Sequence, residues 1–310
     1  MNSLNSKTIF FIGLILTASG IVSPAFALVA GIAYGFTFPH PYHLDSRNLS
    51  HFLLQAAVVA LGFGMNLRQV IHAGRAGFAY TAISITVAML LGWALGRLLG
   101  VTKKASFLIT AGTAICGGSA IAAISSITHP DEEEMAMSLG TVFVLNSVAL
   151  LLFPAIGFAL HMTQTQFGLW AALAIHDTSS VVGAAAKYGA QALQIGTTVK
   201  LARALWIIPV SMVTAYATKS KTPIKWPWFI LLFCLAAVAK TYIPAGATIY
   251  PVLSHLGKIG LTVVLFLIGT GLSKNTIRRV GVRPFLQGVC LWAVIATASL
   301  MAIRAGWIRL

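Results

Sequence analysis

The chain is a succession of apolar runs, most of them about the length of a bilayer crossing, separated by short punctuations of proline, glycine or charge. One crossing helix needs about 20 apolar residues. A chain patterned this way has almost no choice but an all-α polytopic membrane fold. Apolar runs are expected at 8–22, 24–39, 50–71, 76–100, 104–128, 134–160, 166–190, 194–218, 226–244, 251–273 and 284–306, which gives about eleven transmembrane helices. They leave little for a separate soluble domain, so residues 1–310 read as one integral membrane domain.

The formal net charge is +15. The basic residues sit at the ends of apolar runs instead of clustering on a soluble face, so the charge encodes topology and not nucleic-acid recognition. With eleven crossings, one side collects Lys7, Arg47, Arg97, Lys103, Lys104, Lys219, Lys221, Lys225, Lys274, Arg278, Arg279 and Arg283, about twice as many as the other. That side is expected to be cytoplasmic and to hold the amino terminus, in a bacterial inner membrane. The acidic cluster Asp131, Glu132, Glu133 and Glu134 and the carboxyl terminus are then expected outside. Lys7, a short apolar run and Ala25-Phe26-Ala27 imitate a secretory leader, but Pro24 suits a turn between two short crossings and the first run is expected to be retained. Cys116, Cys234 and Cys290 have no zinc or disulfide spacing, so no metal and no cofactor is expected.

A thin repeat aligns Gly62, Gly64, Gly74 and Phe78 with Gly269, Gly271, Gly281 and Phe285, 207 residues apart. The two segments fall in the third and tenth crossings and run oppositely, as in inverted-repeat transporters.

Two runs are interrupted as lipid-facing helices are not. In the fifth, Gly112-Thr113-Ala114-Ile115-Cys116-Gly117-Gly118-Ser119-Ala120 combines glycines and hydroxyls; in the seventh, His176-Asp177-Thr178-Ser179-Ser180 places ionisable groups at mid-depth. Close helix packing is one account of the first and a mutually satisfied pair one account of the second. Helices broken within the membrane are the favoured reading, because they free backbone groups for a solute and present amino termini to anions. Thr113, Cys116, Gly117, Gly118, Ser119, His176, Thr178 and Ser179 are the expected substrate-binding residues. Asp177, the one acidic residue inside an expected crossing, is the proton-coupling candidate, with His176 able to share that role.

Lys200 and Arg203, three apart on one helical face, lie about 9 to 14 Å inside a helix beginning at Gln194. They are expected to balance a bound anion, with snorkelling to the headgroups and pairing of Arg203 with Asp177 or with an external glutamate as alternatives. Trp206, Trp226, Trp228, Trp292 and Trp307 fit an interfacial belt or lipid-facing surface.

From about Val58 to Ile303 the chain resembles the bacterial YeiH family, catalogued under sulfate export. The resemblance rests on Gly112 to Ala123, Glu132-Glu133-Glu134, Phe167-Gly168-Leu169-Trp170-Ala171, Ile175-His176-Asp177, Val199-Lys200-Leu201-Ala202-Arg203 and Pro227-Trp228-Phe229. Family members often carry His-Glu-Thr where this chain has His176-Asp177-Thr178, a shorter carboxylate. The family is similar to inverted-repeat carriers with crossed, discontinuous helices, among them bile-acid and sodium–proton carriers, and that fold with two discontinuous helices is what the resemblance implies.

The expected function is a secondary transporter, not an enzyme, that exports a small inorganic or organic anion such as sulfate or a sulfonate by alternating access. No Walker motif is present, so an ion gradient of protons or sodium, or the solute's own gradient, is expected to drive it. The alternatives are a cation–proton antiporter using Asp177 and, more remotely, an intramembrane enzyme using His176 and Asp177. Membrane lipid surrounds the chain, and a homodimer is one assembly the sequence leaves open.

Overall fold

The computed structural model describes residues 3–38, 42–220, 228–271 and 281–309, and the regular structure among them is helical. Lys221, Lys225, Trp226, Pro227, Lys274, Arg278 and Arg279 lie outside the described residues. The chain packs as two compact units, Met1–Ile71 with Pro227–Lys274 and His72–Trp226 with Asn275–Leu310.

The first unit contains α1 (Ser3–Ala18), α2 (Pro24–Thr37), α3 (His43–Gly62), α12 (Trp228–Tyr242) and α13 (Tyr250–Gly271). Ser23 caps α2 by accepting from the Phe26 N–H, and Pro24 occupies the first turn, where its missing N–H is harmless. The core gathers Phe10, Tyr34 and Phe266 around Ala27 and Val263, and the Tyr34 and Ser6 hydroxyls meet at 2.8 Å. A Cβ on Gly269 would lie 2.6 Å from Leu28 O, so glycine is what allows the α13 and α2 backbones this close. Of the glycines paired by the 207-residue repeat, Gly62 packs on Phe233 and Ala236 as its counterpart Gly269 packs on α2; part of the second segment lies outside the described residues.

The second unit holds most of α4 (Leu67–Leu98) and all of α5 (Lys103–Ala114), α6 (Gly118–Thr128), α7 (Glu132–Ala159), α8 (Gln164–Ala174), α9 (Thr178–Tyr188), α10 (Ala190–Ala204), α11 (Ile207–Thr218) and α14 (Val282–Arg304). The expected interruptions are present at residues 115–117 and 175–177, but the half-helices do not continue across the membrane. Lys104 Nζ, at the start of α5, donates to His129 O, beyond the end of α6, at 2.8 Å. Tyr188 Oη, at the end of α9, donates to Met162 O, before the start of α8, at 2.6 Å, and its ring stacks on Phe167 with centroids 3.8 Å apart. Two helices in line would separate these ends by more than 30 Å at about 1.5 Å per residue. Each pair is therefore a hairpin that enters and returns at one end, which corrects the expected fifth and seventh crossings.

α7 runs the length of both hairpins and shows that they enter from opposite ends. Ser138 Oγ lies 3.4 Å from Ala105 O near the base of the first hairpin. Further along, the Phe153 ring stacks on Trp170 at 4.2 Å. A Cβ on Gly157 would meet Phe167 and Tyr188 at the base of the second hairpin. The base of the first hairpin also carries the acidic cluster: Thr102 Oγ1 donates to Glu134 Oε1 at 2.7 Å, and Asp131 and Glu134 close a capping box on α7. The acids therefore share an end with Lys103 and Lys104, contrary to the expected placement on the opposite side.

A third interruption, at Leu205 and Trp206, divides the expected crossing 194–218. Pro209 has no N–H to offer Leu205 O, which accepts instead from Ile208 N at 3.1 Å. Among the described residues five spans are long and apolar enough to cross a bilayer: Tyr80–Leu98, Glu133–Ala159, Ala190–Thr218, Tyr250–Gly271 and Val282–Arg304. Five replaces eleven on that criterion because several expected crossings are shorter helices or folded-back pairs. α14 is tied in by buried Gln287, whose Nε2 donates to Gly92 O at 3.0 Å and to Ser106 Oγ at 2.8 Å.

Candidate solute-binding site where two hairpin tips meet

Each hairpin turns at mid-depth and leaves two half-helix ends there, with their backbone groups short of partners. At the first tip, Ile115 leaves the helical region and Gly117 takes φ +68°, ψ −131°, a conformation that suits a residue without a Cβ. At the second, Ile175 and Asp177 are extended. The tips abut: a Cβ on Gly117 would lie 3.3 Å from both Cα and Cβ of Asp177.

The two carboxy-terminal ends are held by cations, as the partial negative charge there favours. Arg203 Nε donates to Ala114 O at 2.6 Å, at the end of α5. Its Nη1 donates to Leu173 O at the end of α8, with a longer contact of 3.5 Å to Ala172 O, and its Nη2 lies 3.5 Å from Thr113 O. One guanidinium thus bridges both tips. Lys200 Nζ donates to Ile175 O at 2.7 Å, and Trp292 Nε1 to Ala174 O at 3.1 Å. Lys200 and Arg203 are fully buried, which rules out snorkelling. Trp292 points its indole N–H into this junction and not to an interface, a correction of the expected belt position.

The amino-terminal ends differ. Asp177 caps α9: its Oδ2 accepts from Ser179 N at 3.0 Å, Ser180 N at 3.2 Å and the Ser179 hydroxyl. Asp177 makes no ion pair with Arg203 among the described residues, so that alternative is corrected too, and the α9 amino terminus already holds a carboxylate. α6 has Gly117 at its cap, with no side chain to bond, and the Cys116 thiol accepts from the Ala120 N–H in its first turn.

α7 contributes Asn146, at the middle of a 28-residue helix. Its Oδ1 accepts from the His176 and Asp177 N–H groups at 3.2 Å each. Sequence reasoning passed it over, although an amide in the centre of an apolar run is the kind of residue that marks a site.

Several buried polar atoms around the tips have no hydrogen-bond partner: Asn146 Nδ2, both ring nitrogens of His176, Thr113 Oγ1 and Thr197 Oγ1. Buried polar atoms in native proteins are overwhelmingly satisfied, and each one left bare costs about 1–3 kcal/mol. Such a group of orphans on and beside the tips marks a place for a polar solute. The expected residues Thr113, Cys116, Gly117 and Gly118 are buried on the first tip and Ser119 is half-buried there; His176, Asp177, Thr178 and Ser179 are buried on the second. The hydroxyl of Ser179 is engaged by Asp177, and those of the orphaned threonines are not. The His176 ring meets Trp292 edge-on, with centroids 6.5 Å apart.

The family model described as Conserved hypothetical protein 698 matches residues 8–288. A UPF0324 membrane protein of Bdellovibrio bacteriovorus is 48% identical over 311 residues, covering 98% of this chain and 96% of that protein. Relatives under the same name in Bacteroides thetaiotaomicron, 47% identical over 92% of this chain and 87% of its own length, and in Geobacter sulfurreducens, 45% identical over 99% of both, are similarly close. No solved structure matches the chain.

Proposed function

The chain belongs to the Conserved hypothetical protein 698 family, the YeiH-type UPF0324 membrane proteins, and we propose that it is a secondary transporter carrying a small anion through the junction of its two hairpin tips. The observation that carries this reading is the set of orphaned polar atoms at the junction, gathered beside two fully buried cations and one carboxylate. A buried excess of positive charge is costly unless something negative accompanies it.

In this reading α5–α6–α7 and α8–α9–α10–α11 form an inverted pair: hairpin then crossing, hairpin then crossing, entering from opposite faces. Each hairpin stands between the site and one face of the membrane, and loosening one at a time gives alternating access. The base of the first hairpin, with Lys103 and Lys104, faces the cytoplasm of a bacterial inner membrane. Sulfate and sulfonates, which the family resemblance suggests, are among the anions to test.

The test is flux into proteoliposomes of the purified full-length chain with labelled sulfate, sulfite, a taurine-like sulfonate, formate and nitrate. Saturable uptake of at least one anion is expected, falling at least tenfold in Asn146→Ala with insertion retained. Wild-type uptake equal to that of protein-free liposomes for every anion contradicts the proposal.

A further inference from the structure

The two hairpins match residue for residue around their tips. Ala114-Ile115-Cys116-Gly117-Gly118-Ser119 and Ala174-Ile175-His176-Asp177-Thr178-Ser179 stand in one register sixty residues apart, sharing Ala, Ile and Ser, with Phe107 and Ala111 matching Phe167 and Ala171 further down each first arm. The helix boundaries keep the same register, since α5 ends at Ala114 and α8 at Ala174, and α6 begins at Gly118 and α9 at Thr178. In this register the amino-terminal cap of α9 is Asp177 and that of α6 is Gly117. The position that holds a carboxylate in one hairpin holds no side chain in the other. The first two N–H groups of α6, those of Gly118 and Ser119, have no protein acceptor among the described residues, and the third, that of Ala120, has the neutral Cys116 thiol where α9 has a carboxylate.

Charge points the same way. Four half-helix ends meet at the junction, two positive and two negative, each equivalent to about half an elementary charge, so they cancel as a group. Counted at their ordinary charges, Lys200 and Arg203 contribute two positive charges and Asp177 one negative, all of them buried. One unit of positive charge is left over. Unpartnered buried side chains lie around the vacant cap: Thr113 at the end of α5, and His176 and Asn146 beside the Asp177 backbone against which Gly117 packs. Thr113 and His176 can donate, and the orphaned nitrogen of Asn146 is a donor by its chemistry.

We propose that the site takes one singly charged oxyanion of carboxylate size, seated on the amino terminus of α6 as Asp177 seats its own carboxylate on α9, and that Asp177 sets this valence. Gly117 leaves the seat open, and the donors around it accept a planar anion with two or three oxygens. A divalent anion such as sulfate would overshoot the residual charge by one unit. Replacing Asp177 with asparagine raises the residual charge from one to two, while asparagine remains a good helix cap, so the preference moves toward dianions. This inference rests on the anion-carrier reading above and adds the class of anion and the residue that selects it.

The experiment is competition binding and counterflow with the full-length chain in lipid, using formate and nitrate as monoanions and sulfate and oxalate as dianions. The wild-type chain is expected to favour the monoanions at least tenfold, and Asp177→Asn to shift the monoanion-to-dianion ratio at least tenfold toward dianions. Ser119→Asp, which places a tethered carboxylate in the first turn of α6, is expected to weaken formate binding at least tenfold while raising thermal stability. The wild-type competition stands without any variant. Sulfate preferred by the wild-type chain, or a ratio unmoved by Asp177→Asn in a folded carrier, overturns the valence assignment and leaves an anion carrier standing. Failure of all four anions to bind or move removes the anion site itself, and this inference with it.

Discussion

The two hairpins of the second unit share a length, a register and a depth, and they differ at one cap. The α8–α9 hairpin is closed on itself: Asp177 holds the first turn of α9, Asn146 holds the Asp177 backbone, and Lys200 and Trp292 hold the end of α8. The α5–α6 hairpin has its α5 end held by Arg203, and its α6 end has no carboxylate, only Gly117 at the cap and the Cys116 thiol on the Ala120 N–H. Broken helices in a membrane therefore do not by themselves make a binding site, because helix ends satisfied by their own protein leave no backbone groups for a solute, and among the described residues the second tip contributes only the His176 side chain. The difference between the caps is what assigns the open one to a ligand.

The sharpest way to break this comparison is to remove the residue both hairpins share. Arg203→Met keeps the bulk but leaves Ala114 O and Leu173 O without their cation. At about 1.5–3 kcal/mol for each bond to a charged group, the loss is about 3–6 kcal/mol. Thermal unfolding in detergent is expected to show a chain that barely folds or does not fold. A variant as stable as wild type would mean that the tips are held by something other than this bridge.

A smaller effect separates the caps. Gly117→Ala puts a Cβ on a residue at φ +68°, 3.3 Å from the Asp177 backbone. Positive φ with ψ near −131° is a sparsely populated, glycine-favoured conformation that costs another residue about 1–3 kcal/mol. The chain is expected to fold with a modest drop in unfolding temperature and to lose most anion binding, because the methyl group intrudes where the tips abut. Undiminished binding would show that the seat lies elsewhere.

The interruptions were legible in the sequence because glycine with hydroxyls, and His176 with Asp177, have no place in a lipid-facing helix. Their direction was not. A run of 25 apolar residues satisfies hydropathy equally as one crossing or as two half-helices of about 16–18 Å folded together, and the polar residues at 102–104 and 129–134 suit either topology. Lys200 and Arg203 were legible as a pair on one face. Their partners were not, since backbone carbonyls of other helices leave no mark on composition. Asn146 carries the same signal as Asp177 in a fainter form, because an amide in an apolar run is less costly than a charge. The sixty-residue register stayed hidden because its shared residues are common ones, and only the matching helix ends give them meaning.

The central claim, two hairpins entering from opposite faces, is tested most directly by membrane-impermeant thiol labelling in sealed vesicles of known orientation. Single cysteines are placed at Lys104, His129, Gln164 and Gln191 in a chain whose Cys116, Cys234 and Cys290 are replaced. The structure predicts that positions 104 and 129 label from one face and 164 and 191 from the other. Positions 104 and 129 labelling from opposite faces would contradict it.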